Sequence, residues 1–392
     1  MGDHYLEDIG VEKALKCIFN HPDQRLYSDQ DICRFLDPKI NQRLQKDSLP
    51  WEMHYFEHFG QQESAVVLIA HHSMGDGLSA QFMLLFSSDD GTKIKHYPMK
   101  TVGVMHQCLL FALGCLLVPL VMIKTTLAYD RPNPLNTKVT VSGKRQNHVS
   151  KDYNLQKVKN VAKVHQVTIN DFVSSALGVA IKKYFESKHF NHTAHVTLVF
   201  PINIRYSQPQ SWQEVIIGNY FSCELMQLPI GQDFKQVLPR VHKQMNIIKG
   251  STQFYAMYLL SLITGGLFPY RFAYWLLNRV SSRITFQFSN VPGPILPLIY
   301  HGKQSKRAWF FVNPAAQQGV SLTVYSHNGV VKFGATTDLA RVKDPEVLVS
   351  YFEESMDEMI GEQNEEILKT NSTKSYEFVN NPEQIQHQSF DQ

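Results

Sequence analysis

The sequence has no Cys-x-x-Cys pair, no Gly-x-Ser-x-Gly element, no basic run interleaved with aromatic residues and no internal repeat. Each absence removes a class of function. Five cysteines, Cys17, Cys33, Cys108, Cys115 and Cys223, are odd in number and scattered, which argues against a disulfide framework and fits a reducing compartment. Without a nucleophile elbow, Ser73 is not placed as a triad serine. A formal net charge of +3 without clustered basic residues gives no reason to expect nucleic acid. The opening MGDHYLEDIGVEK lacks the positive flank and apolar core of a signal peptide, and Leu6 breaks the myristoylation pattern.

What is present is ample apolar material. With 392 residues, 43% hydrophobic and 19% charged, the chain can bury two medium cores. The periodicity predicts an α/β protein of two lobes, residues 1–145 and 146–360, followed by a polar, disordered tail at 361–392. In the first lobe, a helix is expected near Asp31 to Gln45, then a core strand at Ala65 to Ala70 and a helix from Leu78 to Phe86. Pro132, Pro134 and the polar run Thr137 to Asp152 mark the crossing. In the second lobe, helices are expected from Asn154 to Val164 and, behind a Thr168/Asp171 capping box, through Phe185. Strands are expected at Val196–Phe200, Val215–Leu228, Thr285–Ser289, Val320–Tyr325 and Val330–Ala335, with Asn328-Gly329 as a hairpin turn. Asp344-Pro345 opens a last helix to about Ile360.

The chemistry concentrates in His71-His72-Ser73-Met74-Gly75-Asp76-Gly77, placed between that strand and helix. A neutral imidazole there can take a proton from a hydroxyl or thiol near pH 7. The histidine pair has no spaced third ligand, so no metal is expected. Asp76, ahead of Gly77 and an apolar helix, reads as an N-cap, and Gly77 as a point of close backbone approach.

The spacing resembles the His-His-x-x-x-Asp-Gly signature of the CoA-dependent acyltransferase superfamily, which includes chloramphenicol acetyltransferases, condensation domains and the wax ester synthase/diacylglycerol acyltransferase family. Further segments resemble the last of these in family order. They are Leu49-Pro50-Trp51-Glu52, Thr168-Ile169-Asn170-Asp171, Pro201-Ile202-Asn203-Ile204-Arg205, Gly218-Asn219, Ser289-Asn290-Val291-Pro292-Gly293-Pro294 and the hairpin from Ser326 to Asp338. The resemblance implies two chloramphenicol-acetyltransferase-like lobes with the active site in a tunnel between them. Fewer than 75 residues precede the motif, so the first lobe is expected to be shortened.

On this resemblance His72 is the general base and His71 its support, hydrogen-bonded to backbone. Asp76 is structural, with Arg205 of the second lobe as its partner. Asn170 or a nearby backbone amide is the candidate oxyanion donor, Asp171 a cap, and Ser289, Asn290, Pro292 and Gly293 line the tunnel. Trp51 is assigned to the core. The implied reaction moves a fatty acyl group from acyl-CoA, the co-substrate, to a long-chain alcohol or diacylglycerol, with no bound cofactor. Two alternatives stay open: another hydroxyl or amine acceptor on the same fold, or a catalytically silent lipid-binding protein.

Two long apolar stretches, Cys108 to Ile123 and Phe254 to Leu277, raise the question of a membrane. The first falls short of the roughly 20 residues that span a bilayer and contains Pro119. A span there would separate lobes that share one tunnel, so an interfacial or re-entrant segment is preferred to a full span or a buried core helix. Lys93, Lys95, Lys100 and Lys124 flank it and suit an anionic surface. The expected location is the endoplasmic reticulum or plasma membrane, with the active site facing cytosol.

Overall fold

The computed structural model describes residues 10–42, 48–91, 103–137, 139–205 and 207–361. The polar tail expected from 361 therefore lies almost wholly outside the described residues, as do Lys93, Lys95 and Lys100. The strands form two main sheets joined by helices.

The smaller sheet has the order β1 (Ile18–Leu26), β2 (Trp51–Phe59), β3 (Glu63–Ala70), after a short helix α1 (Gly10–Leu15). Helix α2 (Asp29–Ile40) begins at a Ser28/Asp31 capping box, which satisfies otherwise unpaired N–H groups of its first turn. Leu26, Ile32, Phe56, Phe59 and Val67 make the small core here. The strand into the histidines is not the core strand expected. Only Val67 of β3 is buried, while Val66 and Leu68 are exposed, because successive side chains alternate and the sheet is covered on one face alone.

The motif follows β3 and leads into α3 (Gly77–Phe86), then α4 (Val104–Leu127). The larger sheet has the order β4 (Arg145–Val149), β12 (Val330–Asp338), β11 (Val320–His327), β8 (Phe286–Pro292), β6 (His195–Asn203), β7 (Phe221–Pro229), with β5 (Tyr153–Asn154) also on β12. Pairing is parallel for β11–β8 and β6–β8 and antiparallel elsewhere. Asn328 and Gly329 both take positive φ, as a two-residue type I′ hairpin requires. Helices α5 (Leu155–Val164), α6 (Ile169–Ser187) and α7 (Phe234–Lys249), with a final helix α10 over 345–361, complete the main core. The first three begin where the sequence offers a cap: Asn154, Thr168 and Asp233 accept from their own first turns.

The second apolar stretch is not one helix. Phe268-Pro269 divides it into α8 (Gln253–Leu267) and α9 (Tyr270–Ser281), because proline cannot continue the ladder and restricts the residue before it. Helix α4 lies along α8, with Gly114 so close to Tyr255 that a Cβ would sit 3.1 Å from that side chain's Cβ. Lys124 anchors its end to Glu224 and Gln253. It is no core helix, since Leu109, Leu116, Leu120, Ile123 and Leu127 are exposed on its outer side. Among the described residues it is the one helix long and apolar enough to cross a membrane. A last small ladder pairs β9 (Ile299–Tyr300) with β10 (Lys303–Gln304).

Polar ties hold the small sheet to the large one. Asn147 donates from backbone and side chain to Asp37 of α2. Lys332 of β12, 1% exposed, donates to Asp29 at 2.5 Å and Asp152 at 2.6 Å and sits over the Trp309 ring. Two buried histidines in these strands carry a consequence for acid stability. Burial lowers His54 and His327 below the ordinary histidine value, more than their hydrogen bonds to Glu52 and Ser305 raise them. The unfolded chain therefore binds more protons than the native one below about pH 6.5, so stability should fall as pH drops through that range. Thermal unfolding followed from pH 7.5 to 5.5 checks this, and His54→Gln should flatten the slope.

Candidate active site

The turn between β3 and α3 is clamped from the other sheet. Asp76 caps α3 by accepting from the Ser79 N–H at 2.9 Å. Its two carboxylate oxygens take both arms of the Arg205 guanidinium, at 2.8 and 2.9 Å, and the Tyr220 N–H donates to it at 2.8 Å. Arg205 also donates to the Gly218 carbonyl and lies over the Tyr220 ring, 5.0 Å from its centre. Both side chains of this pair are 10% exposed or less. Burial alone would raise the Asp76 carboxyl, but Arg205 and the two backbone N–H groups outweigh it and hold the pKa below the ordinary value. The Asp76–Arg205 pairing named from sequence is thus a direct two-point contact.

The same contacts explain why residues 215–220 are not strand, although apolar residues continue there. A short 3-10 turn at Trp212–Glu214 leads into a loop whose backbone is committed to the clamp. Gly218 and Ser79 bond reciprocally, and the Asp76 N–H donates to the Gly218 carbonyl. Strand β7 starts only at Phe221.

His72 sits on this braced turn, exposed in the cleft between the sheets. The Asn219 amide donates to its backbone carbonyl at 2.9 Å, and the Phe221 ring stands edge-on with centroids 5.9 Å apart. Its ring makes no hydrogen bond among the described residues. His71 turns back on its own loop, where Nδ1 accepts from the Ser73 backbone N–H at 3.2 Å and lies 2.7 Å from Ser73 Oγ.

Gly77 does not play the part expected of it. A Cβ there would meet only a Val291 methyl at 3.9 Å, an ordinary contact. The close approach is at Gly75, where a Cβ would lie 2.9 Å from the Ser79 Cβ and 3.3 Å from the Gly218 nitrogen. Gly75 is what lets the clamp close. Gly75→Ala should therefore lower the melting temperature and the activity well below those of Gly77→Ala, as parallel thermal and kinetic measurements would show.

The cleft has a volume of about 3150 Å³ and a largely apolar wall. Ser289, Asn290, Pro292 and Gly293 line it, together with His71, His72 and Asp76. Gly293 is required there, since a Cβ would fall 2.3 Å from the Ser326 carbonyl oxygen. Trp51, assigned to the core from sequence, is half-buried on the cleft wall.

Asn170 and Asp171 do not reach the cleft. Asn170 accepts from the Asn290 amide at 2.9 Å and points its own amide at the Met245 sulfur, so it braces a lining residue. It is not placed to donate to an oxyanion. Asp171 is fully buried, caps α6 with Thr168, and faces His242 at 2.9 Å. The helix N-terminus that carries both lies behind the sheet, against α7. Sequence reasoning missed Ser79, Tyr220 and Phe221; the alternation of β7 was the available signal for the last. Among the described residues no group of His, Cys, Asp and Glu could hold a metal.

Comparison with known proteins gives a consistent result. Residues 217–360 match the family described as WS/DGAT C-terminal domain. The fold is similar to that of the wax ester synthase/diacylglycerol acyltransferase from Marinobacter aquaeolei VT8, with TM-score 0.59 and 17% identity over 91% of this chain and 81% of that one. It is also similar to the starter condensation domain of rhizomide synthetase in complex with C8-CoA and Leu-SNAC, with TM-score 0.55 and 13% identity over 88% and 76%. The first condensation domain of the CDA synthetase gives TM-score 0.54 and 12% identity over 88% and 74%. No curated protein matches the chain by sequence.

Proposed function

We propose, from the match of residues 217–360 to the WS/DGAT C-terminal domain family and the similarity of fold, that this protein is an acyl-CoA-dependent O-acyltransferase. It moves a fatty acyl group to a long-chain alcohol, a diacylglycerol or both. The observation that carries the reading is the placement of His72: a free imidazole on a loop fixed from both sheets, facing a large apolar cleft. Such a group suits removal of the acceptor's hydroxyl proton as the oxygen attacks the thioester carbonyl. The carbonyl carbon gains the new C–O bond, the C–S bond breaks, and the proton held by the imidazole passes to the leaving thiolate, releasing CoA. Holding two apolar substrates at one imidazole supplies much of the rate.

The test uses labelled palmitoyl-CoA with hexadecanol and diacylglycerol offered separately, comparing wild type with His72→Ala. Wax ester or triacylglycerol formed by wild type alone supports the proposal and names the acceptor. Lipid binding with no transfer from any acyl-CoA favours the silent lipid-binding alternative.

The membrane is the proposed meeting place. Residues 103–129 and 251–283 contain no aspartate or glutamate, yet carry Lys124, Arg271, Arg279 and Arg283. Large apolar and aromatic side chains, Leu116, Leu267, Tyr270 and Trp275 among them, are exposed on the same three helices. Helices α8 and α9 also line the cleft, so a surface that lies in the lipid interface adjoins the substrate path. The chain should float with anionic vesicles, and Leu116→Asp with Leu120→Asp should weaken that binding while leaving the clamp intact.

A further inference from the structure

Strands β6 and β7 pair in a register that sets Asn203 against Phe221, Pro201 against Cys223 and Val199 against Leu225. Residues two apart on a strand share a face, and all six of these line the cleft. They make three successive rungs. The first lies at the imidazole, through the Phe221–His72 contact. Strand rise puts the second rung about 7 Å and the third about 13 Å further on. Beyond them Gln287, paired with Val199, and then Ile284 and Val280 continue the wall toward α9.

Asn203 and Phe221 are half-buried, Pro201 is exposed beside a half-buried Cys223, and Val199 is half-buried beside a buried Leu225; none of the six carries a charge. An uncharged, largely apolar trough that starts at the base and is walled at its third rung by Val199 and a buried Leu225 fits an unbranched hydrocarbon chain. Such a chain advances about 1.3 Å per carbon, the projection of a carbon–carbon single bond, so the second rung meets roughly the fifth carbon and the third roughly the tenth. Cys223 is also chemically quiet. Burial, with a smaller push from the Glu224 charge, raises its thiol to about 11, so it stays protonated and does not compete for the acyl group.

We propose that the Pro201–Cys223 rung, and the small Cys223 side chain above all, sets how long a substrate hydrocarbon chain can lie beside His72. The proposal rests on the acyl-transfer reading. The chain belongs to the acyl donor or to the alcohol, and the experiment separates these sources.

In one arm acyl-CoA length runs from four to sixteen carbons with one alcohol; in the other, alcohol length varies with one acyl-CoA. Cys223→Trp should lower the ratio of kcat/KM for sixteen carbons to that for four by about a hundredfold, in one arm only, the discrimination expected of a pocket that cannot seat a chain. That arm identifies the chain. Cys223→Ser should keep the wild-type ratio and Cys223→Met should fall between, which carries the test if the tryptophan variant does not fold. Gln227→Trp, at an exposed position beyond the cleft, is the control. An unchanged ratio in both arms, or an equal loss at every length, overturns the proposal. Displacement of a fluorescent fatty acid separates the two ideas. If wild type transfers nothing, the acyl-transfer reading fails, while a selective loss of palmitate over hexanoate binding in Cys223→Trp still supports the trough.

Discussion

Replacing His72 by alanine is expected to reduce ester formation by about 10²–10⁴-fold, the range a positioned general base contributes. The fold should not notice. The ring is exposed in the cleft and forms no hydrogen bond among the described residues, and changes at such positions usually stay within about 0.5 kcal/mol of wild type. Few residues near the cleft offer this separation of activity from stability. His71→Ala should have the smaller kinetic effect, since its Nδ1 is occupied by Ser73 and serves the loop. The check is a pair of measurements on each variant, initial rates with palmitoyl-CoA and thermal unfolding. A His72→Ala protein that transfers acyl groups at the wild-type rate would remove the imidazole from the mechanism.

Breaking the Asp76–Arg205 pair should have the opposite signature. Removing one partner of a buried ion pair leaves the other uncompensated, at a cost of about 3–5 kcal/mol. Asp76→Ala and Arg205→Ala should therefore both lose stability, and activity should fall with the His72 loop. A simple charge swap, Asp76→Arg with Arg205→Asp, is expected not to rescue either single change. Asp76 accepts from the Ser79 and Tyr220 N–H groups as well as from arginine, and Arg205 donates to the Gly218 carbonyl. An arginine at 76 has no acceptor for those N–H groups, and an aspartate at 205 has no donor for that carbonyl. Denaturant titration of the two singles and the double measures this; full recovery in the swap would mean that the pair acts through charge alone.

Much of this site was legible because its residues fall in short, ordered motifs. His72, Asp76, Arg205 and the 289–293 loop could be named from sequence, and so could most helix starts, since Thr168, Asn154 and Asp344 precede apolar repeats. What could not be read depended on distant backbone. Val215 to Tyr220 has the composition of a strand, and only contact with Asp76 and Ser79 makes it a loop. Ala65 to Ala70 has the composition of a buried strand, and only the absence of a layer over one face of its sheet leaves Val66 and Leu68 exposed to the cleft. Asn170 was a candidate oxyanion donor by resemblance, but helix α6 presents that end to Asn290 and α7. Close approach was expected at Gly77 and is found at Gly75 for the same reason. A single sequence marks where a glycine is, and the approach of another chain segment decides whether it is needed.

The buried ammonium of Lys332 also says something about the order of events in folding. Asp29, one of its two carboxylates, belongs to helix α2, so the large sheet cannot bury this charge with both partners until the small sheet arrives. Until then the lysine must keep its water, and the strand around it stays incompletely closed. Docking of the small sheet is thus the step that dries the large one. The two should unfold in a single cooperative transition, with no long-lived half-molecule in which the histidines are present but the cleft has no second wall.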